Sequence, residues 1–247
     1  MKTLVSVSRT EHSLFKSPDE LASTVATLWL DDIEKAARTG KPYCVALSGG
    51  RITKQFFEET AVLAAKRKTS FGHVHFFWAD ERCVPPTDPD SNFKLAKDLL
   101  FGPLKIAADK IHRLRGEDSP QVGVEQASAE LLRVATRNQD GQPVFDLIFL
   151  GMGEDGHVAS LFPNAPAKIM DISVPFLVVE NSPKPPPTRL SLSYKTIFAA
   201  KNVWVLVSGA GKEKAFKESL SPEGQTPLAR VIRNTRRVKI FSVINEF

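Results

Sequence analysis

The sequence predicts one α/β domain built on a mostly parallel β-sheet with helices on both faces. Short apolar segments alternate with longer segments in which apolar residues recur at helical spacing. Strands that are apolar along their whole length are typical of parallel sheets, because helices cover both faces of such sheets. The chain has 247 residues, 42% of them hydrophobic, which is enough for one sizeable core. No repeat or low-complexity segment divides it, so we predict a single domain over residues 1–247.

The first helix has a clear start and end in the sequence. Ser17 is a capping residue, Pro18 suits the first helical position, and Glu20 stands three residues after the cap. Apolar residues follow at helical spacing until Gly40 and Pro42 end the helix.

The remaining elements alternate along the chain. We expect strands at 43–47, 73–78, 145–150, 174–179, 203–207 and 238–244. We expect helices at 53–67, 92–100, 121–137, 189–200, 212–220 and 227–232. The proline-rich segment 182–187 is short and lies inside this alternation, which favours a rigid loop over a linker between domains.

Four polar clusters lie at or near the carboxyl ends of predicted strands, where open α/β sheets bind their ligands. They are Ser48-Gly49-Gly50-Arg51, Asp80-Glu81-Arg82, Glu154-Asp155-Gly156-His157 and Ser208-Gly209-Ala210-Gly211-Lys212. We expect these clusters to converge on a single crevice.

The segment 151–156, Gly-Met-Gly-Glu-Asp-Gly, has the glycine spacing of a dinucleotide-binding loop. Two observations argue against that function. The carboxylates of Glu154 and Asp155 would repel a pyrophosphate. Pro163 and Pro166 leave barely a turn or two for the helix whose N-terminus should bind it. We therefore predict no nicotinamide cofactor.

Asp155 stands two residues before His157 in this glycine-containing loop. An imidazole oriented by a carboxylate is a competent general base near neutral pH. The alternative is a structural histidine held by a capping aspartate. The cationic clusters nearby favour the catalytic interpretation.

His73 and His75 share one face of a predicted strand, an arrangement that could serve a metal ion. No third ligand stands at a helpful spacing, so buried or edge histidines are the favoured interpretation and we predict no metal site.

Several motifs resemble those of the 6-phosphogluconolactonase family. Residues 151–163, Gly-Met-Gly-Glu-Asp-Gly-His-Val-Ala-Ser-Leu-Phe-Pro, resemble its signature. Residues 78–82 and 47–50 resemble its two other motifs, and 189–193 and 209–212 match its later basic elements. The resemblance implies the modified Rossmann-like α/β fold shared with glucosamine-6-phosphate deaminase. It also implies hydrolysis of 6-phospho-D-glucono-1,5-lactone to 6-phosphogluconate in the oxidative pentose phosphate pathway, with no cofactor and no metal.

Two alternatives to this function are a deaminase-like isomerase and a non-catalytic protein that binds sugar phosphates. The deaminase pattern after the histidine is Ala-Phe-Asn-Glu-Pro, whereas residues 159–163 here are Ala-Ser-Leu-Phe-Pro, and Arg82 replaces a typical aromatic residue. A protein that only binds sugar phosphates would not need Asp155 and His157 together.

The lactonase reaction suggests roles for four catalytic residues. His157 would take a proton from water and later return it to the ring oxygen, while Asp155 would fix its tautomer. Arg82 would stabilise the oxyanion, with backbone N–H groups of the loop as alternatives. Asp80 resembles the acidic active-site position of the family, and we assign it to sugar hydroxyls or to water placement. Glu81 fits a strand-end cap with a solvated charge.

The substrate phosphate would bind away from the carbonyl. The turn Ser48-Gly49-Gly50 presents backbone N–H groups at a helix start, which is a ready site for an anion. Arg189 and Lys212 resemble the cationic phosphate ligands of the family. Arg51 stands where Ser or Thr is more usual in the family, and its charge could meet the phosphate or solvent.

The positive net charge suits an anionic partner, but no recognition module for nucleic acid accompanies it. The net charge is +5, but Lys and Arg are spread along the chain, and the basic stretch 230–239 is typical of a solvated helix end and turn. Cys44 and Cys83 do not make a disulfide framework, which favours a reducing compartment. Residues 1–5 begin no secretory signal, residues 245–247 match no address, and no apolar run reaches the roughly 20 residues of a membrane span. We expect a cytoplasmic protein without a membrane partner, and a monomer is compatible with the sequence.

Overall fold

A parallel β-sheet forms the centre of the structure, a computed structural model that describes residues 9–244. The strands in chain order are β1 (Arg9–Leu14), β2 (Tyr43–Leu47), β3 (Val74–Trp78), β4 (Asp80–Arg82), β5 (Thr136–Arg137), β6 (Pro143–Val144), β7 (Leu147–Gly151), β8 (Phe176–Val179), β9 (Arg189–Leu192), β10 (Val203–Val207) and β11 (Arg237–Ser242). The α-helices are α1 (Pro18–Ala37), α2 (Arg51–Arg67), α3 (Asn92–Ala96), α4 (Gly102–Leu104), α5 (Pro120–Val134), α6 (Tyr194–Ala199), α7 (Glu213–Leu220) and α8 (Pro227–Asn234).

The central sheet has six strands in the order β1-β11-β10-β7-β2-β3, and every neighbouring pair is parallel. All residues of β2 and β10 are buried, as expected for strands covered on both faces. The predicted α/β fold is therefore confirmed. The chain order reverses between β2 and β7, which makes this the switch point of the sheet, where such folds bind ligands.

The predicted start of α1 is confirmed in detail. The Ser17 hydroxyl accepts a hydrogen bond from the Glu20 N–H at 3.2 Å, and the Glu20 carboxylate accepts one from the Lys16 N–H at 2.9 Å. The helix places Trp29 in the core, where its ring packs against Phe56 and Phe149. These contacts hold α1 and α2 together over the sheet.

The predicted helix 189–200 is wrong in its first part. Residues 189–192 form β9, which pairs antiparallel with both β4 and β8 in a separate three-stranded sheet. The helix begins only at Tyr194, because the Ser193 hydroxyl caps it by accepting from the Thr196 N–H. The predicted strand 174–179 is shorter, at Phe176–Val179, and belongs to this small sheet rather than to the parallel one.

Other boundaries also differ from the sequence-based predictions. The predicted helix 121–137 ends at Val134, because Thr136–Arg137 pairs with Pro143–Val144 instead. The predicted helix 92–100 is α-helical only at Asn92–Ala96 and continues as a π-helical turn at Lys97–Phe101. The edge strand β1 has the polar sequence Arg-Thr-Glu-His-Ser-Leu and was not predicted.

The basic stretch 230–239 spans the end of α8, a short turn and the start of β11, as predicted. The predictions for residues 1–5 and 245–247 lie outside the described residues, and the single domain over 1–247 stays a prediction. Within residues 9–244, we find no helix with the length and apolar character needed to cross a membrane.

Candidate active site

A cleft of about 280 Å³ opens at the switch point of the central sheet. All four polar clusters contribute to its walls, so their predicted convergence is confirmed. The cleft is lined by eight side chains with ionisable groups from the described residues, those of Arg51, Asp80, Arg82, Glu154, His157, Lys184, Arg189 and Lys212. Glu81 and Asp155 are not among the lining residues, but each is hydrogen-bonded to one of them, Glu81 to Arg82 and Asp155 to His157.

His157 and Asp155 form a hydrogen-bonded pair at one side of the cleft. Nδ1 of His157 lies 2.5 Å from Oδ1 of Asp155, and the same oxygen accepts from the His157 backbone N–H at 3.2 Å. Partial burial raises the pKa of Asp155, but the hydrogen bond from the His157 ring and the charge of that ring lower it to about 2 overall. Asp155 is therefore ionised at neutral pH and holds the proton of His157 on Nδ1, which leaves Nε2 as the basic nitrogen.

The glycine spacing of residues 151–156 serves this pair. A Cβ atom on Gly153 would lie 2.0 Å from both Cε1 and Nδ1 of His157, so only glycine leaves room for the ring. Gly156 has a φ of +79°, and a Cβ there would lie 2.7 Å from the Cβ of Thr226. Residues 157–166 contain no helix whose N-terminus could bind a pyrophosphate, in agreement with the sequence-based argument.

Phe162 packs on the histidine and lies near a cation of the cleft. Its ring centroid is 4.7 Å from that of His157 and 5.9 Å from Cζ of Arg189. The Phe162 ring thus packs against one side of the imidazole. In the deaminase pattern, a glutamate stands at the position of Phe162.

Asp80 is buried and anchored in the wall of the cleft. Its Oδ2 accepts from the Ser160 hydroxyl at 2.7 Å, and its carbonyl accepts from the Asn92 side chain at 2.9 Å. Oδ1 has only a long contact of 3.4 Å with that amide nitrogen. One carboxylate oxygen of Asp80 therefore retains most of its capacity to accept from a substrate hydroxyl.

Glu81 is a cap, but its predicted solvation is wrong, because only 3% of the residue is exposed. Its carboxylate accepts from the backbone N–H groups of Arg82, Asn92 and Phe93, all at 2.8 Å, and so caps the start of α3. Burial raises the pKa of Glu81 to about 7 against the opposing effect of these N–H donors. Glu81 thereby fixes the segment that carries Asn92 beside Asp80.

Arg82 and Arg189 face each other across the antiparallel pair β4–β9. Like charges opposite each other in a sheet repel. Arg82 donates from Nη1 to the Asp90 carbonyl at 2.6 Å, while its buried Nε has no hydrogen-bond partner among the described residues. Burial lowers the pKa of Arg189, Asp80 opposes that shift, and Arg82 adds to it. An anionic or oxyanionic group in the cleft would relieve this repulsion.

The turn after β2 lies at the start of α2, and no side chain caps this helix. The Ser48 hydroxyl is already used, since it donates to the Phe149 carbonyl at 2.7 Å and ties β2 to β7. Gly49 is close to Asn92, and a Cβ there would lie 1.8 Å from Oδ1 of that side chain. This turn can therefore contribute backbone N–H groups to a ligand, but not the serine hydroxyl.

Arg51, Lys184 and Lys212 bring three positive charges to the same part of the cleft. Burial lowers the pKa of Lys212, and the charges of Arg51 and Lys184 lower it further against the opposing effect of Glu154. Arg51 lines the cleft and is also exposed to solvent, so its contact with the phosphate stays a prediction. Lys184 was missed by the sequence analysis, which treated segment 182–187 only as a rigid loop.

The two histidines considered for metal binding have other partners. Nε2 of His73 lies 3.1 Å from the Ile33 carbonyl, and Nδ1 of His75 lies 2.8 Å from Nε2 of His112. Among residues 9–244, no group of three or more His, Cys, Asp or Glu side chains is placed to hold a metal ion.

A family model described as glucosamine-6-phosphate isomerases/6-phosphogluconolactonase matches residues 16–240. The chain belongs to this family. The 6-phosphogluconolactonase of Aggregatibacter actinomycetemcomitans is 37% identical over 193 residues, which are 77% of this chain and 80% of that protein. The 6-phosphogluconolactonase of Treponema pallidum is 35% identical over 210 residues, 85% of this chain and 86% of that protein.

Solved structures of the glucosamine-6-phosphate isomerase/6-phosphogluconolactonase family have the same fold. The 6-phosphogluconolactonase of Trypanosoma brucei superposes with a TM-score of 0.81 at 26% identity, covering 96% of this chain and 97% of that one. A monomeric glucosamine-6-phosphate deaminase superposes with a TM-score of 0.77 at 16% identity, covering 94% and 97%. The second likeness concerns the fold alone, which confirms that the fold is shared by both branches of the family.

Proposed function

We propose that this protein hydrolyses 6-phospho-D-glucono-1,5-lactone to 6-phosphogluconate. The observation that carries the proposal is the cleft itself, which combines a histidine–aspartate pair with a group of cations suited to a phosphate. Curated relatives named 6-phosphogluconolactonase, at 35–37% identity over most of the chain, support the same reaction. The pentose phosphate pathway is the corresponding metabolic setting.

The first step uses His157 as a general base. Nε2 takes a proton from a water molecule while the water oxygen attacks the lactone carbonyl carbon. The carbonyl oxygen then carries the negative charge of a tetrahedral intermediate. Because Asp155 remains ionised, it stabilises the imidazolium that forms and keeps the ring oriented without taking the proton itself.

The second step opens the ring. The bond between the carbonyl carbon and the ring oxygen breaks, and His157 returns its proton to that oxygen, which becomes a hydroxyl group. The direct products are a carboxylic acid and a hydroxyl group at the former ring oxygen, and His157 and Asp155 are then back in their starting states. The carboxylic acid releases its remaining proton to solvent and becomes the carboxylate of 6-phosphogluconate.

Arg82 is our candidate for the group that stabilises the oxyanion. Its buried Nε lacks a partner among the described residues, and a preorganised donor of this kind contributes most when negative charge develops beside it. Asp80 would oppose an oxyanion, so we assign its freer Oδ1 to a sugar hydroxyl or to the attacking water.

The phosphate would bind where the start of α2 meets the cationic side chains. The backbone N–H groups of the turn Ser48-Gly49-Gly50 and the first turn of α2 favour an anion. Lys212 and Arg51 provide positive charge at this end of the cleft, and Arg189 on β9 adds a further positive charge to the cleft wall. In this orientation we expect the phosphate to lie away from the reacting carbonyl.

We expect hydrolysis to persist after exhaustive chelation and without added nicotinamide cofactor, because the proposed base and oxyanion ligand are side chains. The measurement is the consumption of freshly generated 6-phosphogluconolactone, corrected for its spontaneous hydrolysis. Activity that disappears with chelator and returns with zinc would contradict the mechanism. Faster turnover of glucosamine 6-phosphate than of the lactone would assign the chain to the deaminase branch instead.

We expect Lys212→Ala to raise KM by about 10- to 100-fold and to leave kcat largely intact. One hydrogen bond to a charged group contributes about 1.5–3 kcal/mol, and about 1.4 kcal/mol corresponds to a factor of ten. Binding lost equally by substrate and transition state raises KM alone. The measurement is steady-state kinetics with the phosphorylated lactone.

Two controls accompany the Lys212 variant. Unphosphorylated gluconolactone should be hydrolysed at nearly the same low rate by both proteins, and Lys217→Ala, an exposed lysine of α7, should behave as wild type. A thousandfold loss of kcat at unchanged KM would instead place Lys212 at the carbonyl and reverse the proposed orientation of the substrate.

A further inference from the structure

Lys184 lies in a rigid segment between β8 and β9 that we call the proline strap, residues 182–187. The strap is closed at its ends by a hydrogen bond from the Ser182 N–H to the Pro187 carbonyl at 2.8 Å. Within it, the Ser182 hydroxyl donates to the Lys184 carbonyl at 2.8 Å and accepts from the Lys184 N–H at 3.2 Å. Four of its six residues are prolines, which restrict φ. The backbone of Lys184 is therefore held in one place.

Arg189 anchors this strap from β9. Its Nη2 donates to the carbonyl oxygens of Pro185 at 2.8 Å and Lys184 at 3.3 Å, and its Nε donates to that of Pro186 at 3.2 Å. A guanidinium has five N–H donors, so only the two on Nη1 remain for other partners. Most of the hydrogen-bonding capacity of this buried arginine thus goes to the backbone around Lys184.

The Lys184 side chain lines the cleft beside two other cations. Its charge, together with that of Arg51, lowers the pKa of Lys212, so the three groups are close enough to repel one another. Within residues 9–244, none of these three side chains forms an ion pair, although Glu154 lies near enough to affect Lys212. Three such cations next to an uncapped helix start favour a ligand with more than one negative charge, and a phosphate monoester carries about −1.5 to −2 at pH 7.

We infer that Lys184 is a phosphate-binding residue of this cleft and that Arg189 is the residue that positions it, through the carbonyl oxygens of the strap. The inference deepens the proposed function and rests on it in naming a phosphorylated sugar as the ligand. Lys184 supplies charge to the phosphate, whereas Arg189 acts mainly by holding the strap against β9.

The first test is the binding of 6-phosphogluconate to Lys184→Ala, measured by calorimetry. We expect affinity to fall by about 10- to 100-fold. Lys184→Arg, which keeps the charge, should recover most of it, and Lys217→Ala should bind as wild type. In kinetics, KM for the phosphorylated lactone should rise while kcat and the hydrolysis of unphosphorylated gluconolactone stay unchanged. Wild-type affinity in Lys184→Ala would overturn the inference.

The second test separates positioning from direct contact. Lysine has a single nitrogen and cannot reproduce the two positions, Nε and Nη2, from which Arg189 donates to the strap carbonyls. Arg189→Lys should therefore release the strap and weaken binding of 6-phosphogluconate. If Arg189 acts through Lys184, Arg189→Lys should weaken binding much less in the Lys184→Ala protein than in the wild-type protein. We expect the two affinity losses to differ at least several-fold. Equal losses in the two backgrounds would overturn the positioning role. Thermal melting of each variant checks that it is folded.

Inorganic phosphate distinguishes a failure of this inference from a failure of the proposed function. The binding of inorganic phosphate, followed by phosphorus NMR, should be weaker in Lys184→Ala than in wild type. This result does not depend on which sugar the natural substrate contains. If the protein binds phosphate through Lys184 but does not turn over the lactone, the proposed function is wrong and the role of Lys184 stands. If the wild-type protein hydrolyses the lactone and Lys184→Ala binds phosphate as tightly as wild type, the inference is wrong and the proposed function stands.

Discussion

Replacing His157 with alanine is expected to lower kcat for the lactone by about 10²- to 10⁴-fold, the usual contribution of a positioned general base. The histidine lies at the side of the cleft, with Nδ1 held 2.5 Å from Asp155 and the ring packed on Phe162. Its removal leaves water without an acceptor for its proton. The cationic end of the cleft is unchanged, so 6-phosphogluconate should bind within a few-fold of wild-type affinity.

Stopped assays with fresh lactone and calorimetry with 6-phosphogluconate provide the two readouts for His157→Ala. Asp155→Asn should cause a comparable or milder loss of kcat, because it disturbs the tautomer and orientation of the ring but keeps the base. Near-normal turnover by His157→Ala would end the proposed mechanism. Loss of product binding together with turnover would show that the histidine holds the ligand rather than activating water.

Replacing Gly153 with alanine is expected to reduce kcat by at least about 10²-fold, approaching the loss in His157→Ala. The added methyl carbon would lie 2.0 Å from Cε1 and Nδ1 of the imidazole and 2.9 Å from Oδ1 of Asp155. The ring cannot move aside freely, because Asp155 holds one edge and Phe162 packs against it. Relief of the overlap therefore requires that the catalytic pair be displaced.

Gly72→Ala is the matched control for Gly153→Ala. The nearest atom to a Cβ at Gly72 is the Ser70 hydroxyl oxygen at 3.8 Å, an ordinary contact, so activity should be that of wild type. Binding of 6-phosphogluconate should also survive in Gly153→Ala, since the cations are untouched. Wild-type kcat in this variant would mean that His157 does not work from the position described.

The main elements of the fold could be predicted from local sequence. The start of α1 at Ser17 and Pro18 and the strands β2 and β10 need only short-range capping and apolar runs, and the structure contains them. The start of β9 could not be predicted in this way. Residues 189–192 are extended because they pair with β4, which lies far away in sequence, and with β8 on the other side of the proline strap, and this pairing outweighs a weak local preference.

The same limit applied to the glycine motif and to Ser48. The spacing of residues 151–156 fits a dinucleotide loop, and only the position of the His157 ring against Gly153 gives its physical reason. The Ser48 hydroxyl looks available in the sequence, but it is committed to the Phe149 carbonyl, 101 residues away. Local sequence cannot indicate which partners a polar group finds across the sheet.

By itself, the sequence determined the alternation of strands and helices, the grouping of polar residues after the strands, and the adjacency of Asp155 and His157. These features depend on residues within a few positions of one another. Three contacts were decided by the tertiary structure alone. The Ser160 hydroxyl donates to Asp80, and Arg189 donates three hydrogen bonds to carbonyl oxygens of the proline strap. Lys184 lines the same cleft as Lys212. The reason is that each of these contacts depends on strand pairing or loop packing, which brings side chains together only once the whole sheet has formed.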